Sequence, residues 1–408
     1  MRNASEVGDL CTGCGTCTAL CPTQALEMRV NEKKGVYEPV LTGECNECGV
    51  CLRVCPGLGV DFRKLNMEVF GREPDDILLG NYEACYVAHS TDEKLRYDSS
   101  SGGMVTQVLL YLLEEGLIDG ALVTRMNPER PLEPEPFIAR TPDEIIESRG
   151  SKYCPVPANV ALREIIDVPG MYAVVGLPCH IHGIRKAELL NRKLRERIVY
   201  HLGILCNNTP NFKATEFLLK HIKLKKEEIK KINYRGKGWP GFLSIKAKKD
   251  LKIPQPEYWD SGFGLFFCSV RCKLCIDHFC KFSDASFGDY WMETRKNDGL
   301  SLVIMRKKNL MKIISSMNPE KICKKTVSPK KLKETQGKTP IIKINFYFYS
   351  KKLRIYKIPS YNEKVQNGDF VLFLKDFITW NIGHAMSENK HLLHLLEFYS
   401  KMLKILIK

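Results

Sequence analysis

The chain has 408 residues, 44% hydrophobic and 27% charged, which excludes disordered and collagen-like classes and suits two or three globular domains. Its 62 Lys and Arg against 47 Asp and Glu give a formal charge of +15, which favours anions such as acidic coenzymes, nucleic acid or a membrane surface. Cysteine occurs 17 times behind an opening MRNASEVGDL that lacks the apolar core of a secretory signal, so metal thiolates in a reducing, cytoplasmic compartment are expected rather than disulfides.

Residues 1–62 are rich in Cys, Gly and Pro and are expected to form a module of their own. CTGCGTCTALCP (11–22) and CNECGVCLRVCP (45–56) share the spacing C-x2-C-x2-C-x3-C-P. A tight loop points three successive thiolates at one iron–sulfur cubane, and the fourth reaches across to the other. The spacing therefore assigns Cys11, Cys14, Cys17 and Cys55 to one [4Fe–4S] cluster, and Cys45, Cys48, Cys51 and Cys21 to a second. Pro22 and Pro56 stop the chain after each fourth ligand. Structural zinc would favour paired Cys-x-x-Cys knuckles instead.

From about residue 80 helical and strand patterns alternate, predicting a mixed α/β sheet domain behind the α+β ferredoxin-type module. The expected segments are 78–165, 166–310 and a lysine-rich 311–408. SGGMVTQVLLYLLEEG reads as a helix with Met104, Val105, Val108, Leu109, Leu112 and Leu113 on one stripe, Ser99 or Ser100 as its cap and Gly116 as its stop. IDGALVTR follows as a strand, and five prolines between Pro128 and Pro142 mark a surface excursion. In SRGSKYCPVP, Gly150, Ser151, Lys152 and Tyr153 suit a phosphate-bearing ring ligand, although a plain loop has the same composition.

MYAVVGLPCHIHGIRKAELL reads as strand, turn and helix, and RIVYHLGILC as the next strand. A right-handed crossover makes the two strands parallel and brings Cys179 and Cys206 to one carboxyl edge, where open α/β sheets bind ligands. His180 and His182 read as exposed helix positions or as neighbours of that site, and neither as a general base. KHIKLKKEEIKK reads as a solvated lysine-rich helix. FCSVRCKLCIDHFC supplies Cys268, Cys272, Cys275 and Cys280, so a third metal site has two candidate sets: Cys179, Cys206, Cys272 and Cys275, or the local four. Cys85, Cys154 and Cys323 are isolated and read as buried free thiols. A strand is expected at IIKINFYFY and a final helix at HLLHLLEFYSKMLKILIK, which packs on the core, docks a partner or touches anionic lipid. No run approaches the ~18 apolar residues of a membrane span, so membrane contact is at most peripheral. No nucleic-acid motif is present, and neither G-x-G-x-x-G nor a Walker loop occurs, which argues against a Rossmann nicotinamide enzyme.

Taken together, SSSGGMVTQVLLYLLEEGLIDGALV, GSKY, VVGLPCHIHGIRK, LGILC, YRGKGWPG, CKLCIDHFCKFSDASFGDYW and NDGLSLV resemble the beta-subunit family of coenzyme F420 hydrogenases and dehydrogenases. The resemblance covers residues 1 to about 305. It includes the fused N-terminal domain many members carry, and residues 1–60 resemble a bacterial two-cluster ferredoxin. It implies FAD contacts at Ser100, Ser101, Gly102, Gly103, Gly150, Ser151, Lys152 and Tyr153. Asp289 would shape the flavin pocket, and Cys179, Cys206, Cys272 and Cys275 would ligate a third [4Fe–4S] cluster. The implied activity is hydride exchange between the deazaflavin coenzyme F420 and FAD, with single electrons relayed to a hydrogenase, dehydrogenase or ferredoxin-type partner. No side chain need serve as a general acid. The alternatives are a ferredoxin-linked flavin reductase acting on another substrate, for example polysaccharide-associated, and a flavin-free electron-relay subunit, against which the glycine-containing turns count.

Overall fold

The computed structural model describes residues 1–292, 298–362 and 368–388. At the N-terminus, Gly15 (φ +84°) and Gly49 (φ +68°) turn the chain left-handed into the short helices Thr16–Ala19 and Val50–Arg53, one in each cysteine run. Between the runs lies the antiparallel hairpin of β1 (Leu26–Asn31) and β2 (Val36–Leu41), with Leu26 opposite Leu41. The two-residue β3 (Gly59–Val60) follows the second run.

The main sheet contains β4 (Ala84–Ser90), β5 (Gly120–Met126), β6 (Pro134–Ala139), β7 (Tyr172–Gly176) and β8 (Ile198–Ile204). A separate antiparallel sheet holds β9 (Lys231–Asn233), β10 (Phe242–Lys246) and β11 (Leu251–Pro254). The chain then returns to the main sheet with β12 (Ala285–Asp289), β13 (Ser301–Met305) and β14 (Ile322–Thr326), and ends its strands at β15 (Ser360–Tyr361). The main order is β14-β4-β13-β12-β8-β7-β5-β6. The four strands β12, β8, β7 and β5 are parallel, and antiparallel strands flank them on both sides.

Both faces of this sheet are covered, so its inner strands are apolar throughout. Leu122 and Val174 pack with Leu162, Ile181 and Ile184 on one side. Ala121, Val123, Ala173 and Leu202 pack with Val108, Leu109 and Leu112 on the other. The expected parallel pair is present, with Val174 of β7 opposite His201 of β8. Strands on either side of residue 310, β13 and β14, flank β4 in this one sheet.

The cysteine-rich module is bound to the sheet domain by buried polar contacts. Asn159 N–H donates to Cys14 O (2.9 Å), and its side chain donates to Thr16 Oγ1 (2.7 Å). Lys186 Nζ donates to Cys55 O (2.6 Å) and Arg271 to Pro56 O (2.9 Å). β3 also pairs in parallel with β15, Gly59 facing Ser360 so closely that a Cβ on Gly59 would lie 2.2 Å from Ser360 O.

Several expectations are corrected. IIKINFYFY is no strand but part of the helix Thr339–Leu353, started by Pro340. Its buried positions Lys343, Phe346, Tyr347 and Ser350 follow a helical i, i+3, i+4, i+7 period. The helix in KHIKLKKEEIKK stops at His221, and the remainder forms a turn of 3-10 helix and β9. The proline-rich excursion contains β6, whose prolines are tolerated because it is an edge strand. His180 and His182 are buried, not exposed. Cys85 and Cys154 are buried as expected, whereas Cys323 is exposed on the edge strand β14. The final helix expected at 391–408 lies outside the described residues. Among the described residues no helix is long and apolar enough to cross a membrane.

Candidate functional site

The carboxyl ends of β5, β7, β8 and β12 frame a cavity of about 850 Å³. The helix Met104–Glu114 begins at this cavity, and Met104, Val105 and Thr106 of its first turn line it. Its N-cap is Gly103 at φ +76°, with no side-chain hydrogen bond, so neither Ser99 nor Ser100 caps it. The serine hydroxyls are engaged elsewhere: Ser99 donates to Leu95 O and Ser101 to Leu300 O. An uncapped helix start offers free N–H groups and the positive end of a helix dipole.

Ser100 Oγ accepts from Ser151 N–H (2.8 Å) and contacts Ser151 Oγ (2.9 Å), which joins the turns SSSGGM and GSKY. The half-buried Asp98 accepts from Arg149 (2.8 Å) and Lys237 (2.5 Å), tying YRGKGWPG to the same corner. Gly103, Gly150, Ser151, Lys152, Tyr153, Ser100, Ser101 and Asp289 all line the cavity, but Gly102 does not. A Cβ on Gly102 would lie 2.6 Å from Ala88 O and 2.8 Å from Ser301 N, so this glycine is packed between β4 and β13. The Lys152 ammonium donates to the carbonyls of Ser148, Arg149 (3.1 Å) and Gly150 (3.0 Å). Burial pushes it down to about 7.

The opposite wall is a buried Arg235, which the sequence reading did not single out. It holds Asp289 through two bonds (2.6 and 3.1 Å), donates to Pro240 O (2.7 Å) and reaches Tyr153 Oη (3.4 Å). Against the desolvation of burial, the Asp289 carboxylate raises the Arg235 pKa and holds it charged. Tyr153 packs on Trp259 with ring centres 4.8 Å apart, and Trp239 on Trp291 at 5.0 Å. Two buried polar atoms of residues lining the cavity, Asn208 Oδ1 and His278 Nδ1, have no hydrogen-bond partner among the described residues.

A smaller cavity of about 70 Å³ adjoins the first, and Cys206, Asn207, Asn208 and Thr209 line both. Cys11, Cys179, Cys206, Cys272 and Cys275 line it together. Burial pushes the Cys206 thiol up to about 12 and Cys179 well above its usual range, with Cys14, Cys206, Cys272 and Cys275 adding to the latter. The local alternative of Cys268, Cys272, Cys275 and Cys280 does not come together here. Cys268 packs among Leu274, Phe346 and Trp380, and Cys280 lies against Gly203 under the sheet.

In the N-terminal module, the buried Cys17 and the half-buried Cys11 lie beside Cys14 and Cys55, and Cys51 faces Cys48 and Cys21. The structure thus places Cys55 near Cys14 and Cys17, and Cys21 near Cys51. Cys48 is exposed and Cys45 partly so. Among the described residues no three His, Cys, Asp or Glu side chains close round a single ion. Near the small cavity His180 accepts from Leu177 N–H at Nδ1 (3.2 Å), so its Nε2 donates to Val156 O (3.0 Å). His182 pairs with Asp277 at 2.9 Å. Both imidazoles are buried and hydrogen-bonded, and only His180 of the two lines the cavities.

Residues 4–61 match a 4Fe-4S dicluster domain. Residues 85–163 and 170–338 match the N-terminal and C-terminal parts of the coenzyme F420 hydrogenase/dehydrogenase beta subunit. The coenzyme F420 hydrogenase subunit beta of Methanosarcina barkeri is 28% identical over 57% of this chain and 78% of its own. The protein of that name from Methanothermobacter thermautotrophicus is 31% identical over 56% and 79%. In solved structures, a chain of the F420-reducing [NiFe] hydrogenase complex from Methanosarcina barkeri shares the fold, with a TM-score of 0.55 and 23% identity over 72% of this chain and 99% of that one. With a dicluster domain ahead of both matched parts in their order, the chain belongs to the coenzyme F420 hydrogenase/dehydrogenase beta-subunit family, a family of oxidoreductases.

Proposed function

We propose that the protein is a flavo-iron–sulfur oxidoreductase that exchanges hydride with coenzyme F420 at FAD and relays single electrons through three [4Fe–4S] clusters to a partner redox protein. One observation carries this reading. The large cavity, the small thiol-lined cavity and the N-terminal cysteines adjoin in series, with the loop Cys206–Thr209, Val156, Leu177 and His180 lining both of the first two.

The large cavity fits FAD by its chemistry. The uncapped start of the Met104 helix suits a pyrophosphate, and Gly103 and Gly150, both left-handed, let ligand oxygens approach the backbone. Ser100, Ser101 and Ser151 supply hydroxyls beside it, and Tyr153 with Trp259 offers an aromatic wall. Arg235 and Asp289 fix the far side, and the partnerless Asn208 Oδ1 and His278 Nδ1 are acceptors for a ring N–H. When bound there, FAD supplies the exchange between hydride chemistry and one-electron chemistry.

The small cavity fits a third cluster held by Cys179, Cys206, Cys272 and Cys275. Cys11 on its wall belongs to the first ferredoxin set, with Cys14, Cys17 and Cys55. The second set, Cys21, Cys45, Cys48 and Cys51, includes the exposed Cys48 and is the outlet to a partner. The chain excess of Lys and Arg favours capture of the acidic deazaflavin coenzyme. The protein purified without oxygen should carry one FAD and about twelve irons. Addition of reduced F420 should then bleach flavin and cluster absorbance. Fully loaded protein that stays coloured refutes F420 as the hydride donor.

A further inference from the structure

The helix Thr339–Leu353 begins just beyond the stretch matched to the beta-subunit family, which ends at residue 338. It sends one buried ammonium, Lys343, into the wall of the small cavity. Lys343 Nζ donates to Cys206 O (3.2 Å) and Asn207 O (2.6 Å), and among the described residues none of its hydrogen bonds goes to a carboxylate. Asp277 faces the same region but is paired with His182. The charge of Lys343 is thus spent on the Cys206 loop and faces Cys206, Cys272 and Cys275.

Two other cations, the buried Arg271 and the half-buried Lys186, repeat this relation. Arg271 donates to Gly57 O (3.3 Å) and Pro56 O (2.9 Å). Lys186 donates to Cys55 O (2.6 Å) and Gly59 O (2.9 Å). These hydrogen bonds all go to backbone carbonyls in or just after a cysteine run, and Arg271 also lies against Tyr361. A buried charge without a counter-ion is expensive, so such an arrangement persists where another negative group offsets it.

We propose that Lys343 is a positioning residue for the third cluster: it clamps the loop that divides the flavin cavity from the thiol cavity and raises the reduction potential of the cluster held there. The inference rests on the third-cluster reading above. Four thiolates around a [4Fe–4S] core leave net negative charge, and an added electron makes it more negative. A fixed ammonium close to that core therefore favours the reduced form. No bond would be made or broken; the cation would favour arrival of an electron at a cluster held beside it.

The test compares the complete protein with Lys343→Met and Lys343→Arg, by iron and sulfide content and by a redox titration followed by electron paramagnetic resonance. Lys343→Met should keep about twelve irons and lower the potential of one cluster, with a shift in its one-electron equilibrium of at least about tenfold, or ~59 mV. The other two clusters should keep their potentials, and Lys343→Arg should restore the parent value. Unchanged potentials in a fully loaded Lys343→Met protein overturn the proposal, as does an equal shift of all three. If Lys343→Met loses four irons, Lys343→Arg decides: parent iron content and potential support a role for the charge, and loss of the same cluster overturns it. A parent protein with only about eight irons refutes the third cluster itself and not merely the role of Lys343.

Discussion

Replacing Gly102 with alanine separates a packing role from a ligand-contact role in the turn SSSGGM. Ala88 of β4 and Ser301 of β13 are direct partners in the sheet, and the new methyl would enter between them. It would lie 2.6 Å from Ala88 O, 2.8 Å from Ser301 N and 3.0 Å from Ser301 Oγ. Two of these atoms are strand backbone and cannot swing aside. Overpacking of this kind costs about 1–3 kcal/mol, and the upper end applies here. Moving the turn also weakens the bonds Ser90 N–H to Gly102 O (2.7 Å) and Gly102 N–H to Ser301 Oγ (3.0 Å), each contributing about 1 kcal/mol. The sum is about 5 kcal/mol, or roughly 6 °C in melting temperature for a chain of 408 residues. Gly103→Ala is the control. Its methyl would meet nothing nearer than 3.4 Å, so only the left-handed φ of +76° is penalised, by about 1–2 kcal/mol. Thermal unfolding of flavin-free protein, followed by tryptophan fluorescence, measures both. A Gly102→Ala protein that melts with the parent yet fails to bind flavin would refute the packing argument.

Three more outcomes are expected. Cys272→Ser should remove about four irons and leave the ferredoxin signals intact, whereas Cys268→Ser and Cys280→Ser should remove none; iron analysis with electron paramagnetic resonance distinguishes them. Arg235→Met leaves Asp289 half-buried without its partner, which should destabilise the fold by about 2–4 kcal/mol and weaken flavin binding at least tenfold, as read by denaturant titration and flavin fluorescence. Burial holds Lys152 at about 7, below the ordinary lysine value near 10. Between those values the unfolded chain keeps the proton and the folded chain does not, so this group makes stability rise with pH across that window. Lys152→Met should lack the rise, and urea midpoints of parent and variant at pH 7 and pH 9.5 would show a constant difference if the reasoning fails.

The cysteine repeat was legible because its ligands are close in sequence and their spacing encodes one loop geometry. The pair β7 and β8 was legible because both strands are buried on two faces and run nearly without polar interruption. The partnership of Arg235 with Asp289 was not, since it depends on how β12 and the chain before β10 meet across the cavity. The helix Thr339–Leu353 escaped because two of its buried positions are Lys343 and Ser350, and a search for apolar periodicity passes over them. The uncapped helix start escaped as well. Three serines before a helix read as caps, but here their hydroxyls serve Leu95, Leu300 and Ser151.

The pairing of β3 with β15, with Gly59 pressed against Ser360, gives the N-terminal module a second anchor on the chain, nearly three hundred residues downstream of its own connection. With Lys186, Arg271 and Asn159 also gripping its cysteine loops, the module cannot act as a swinging carrier that samples two docking positions. The separations between its thiolate sets and the small cavity are fixed when the chain folds. On the proposed reading, electron passage inside the protein would be governed by tunnelling across constant gaps, and turnover would be indifferent to solvent viscosity until the encounter with the external partner.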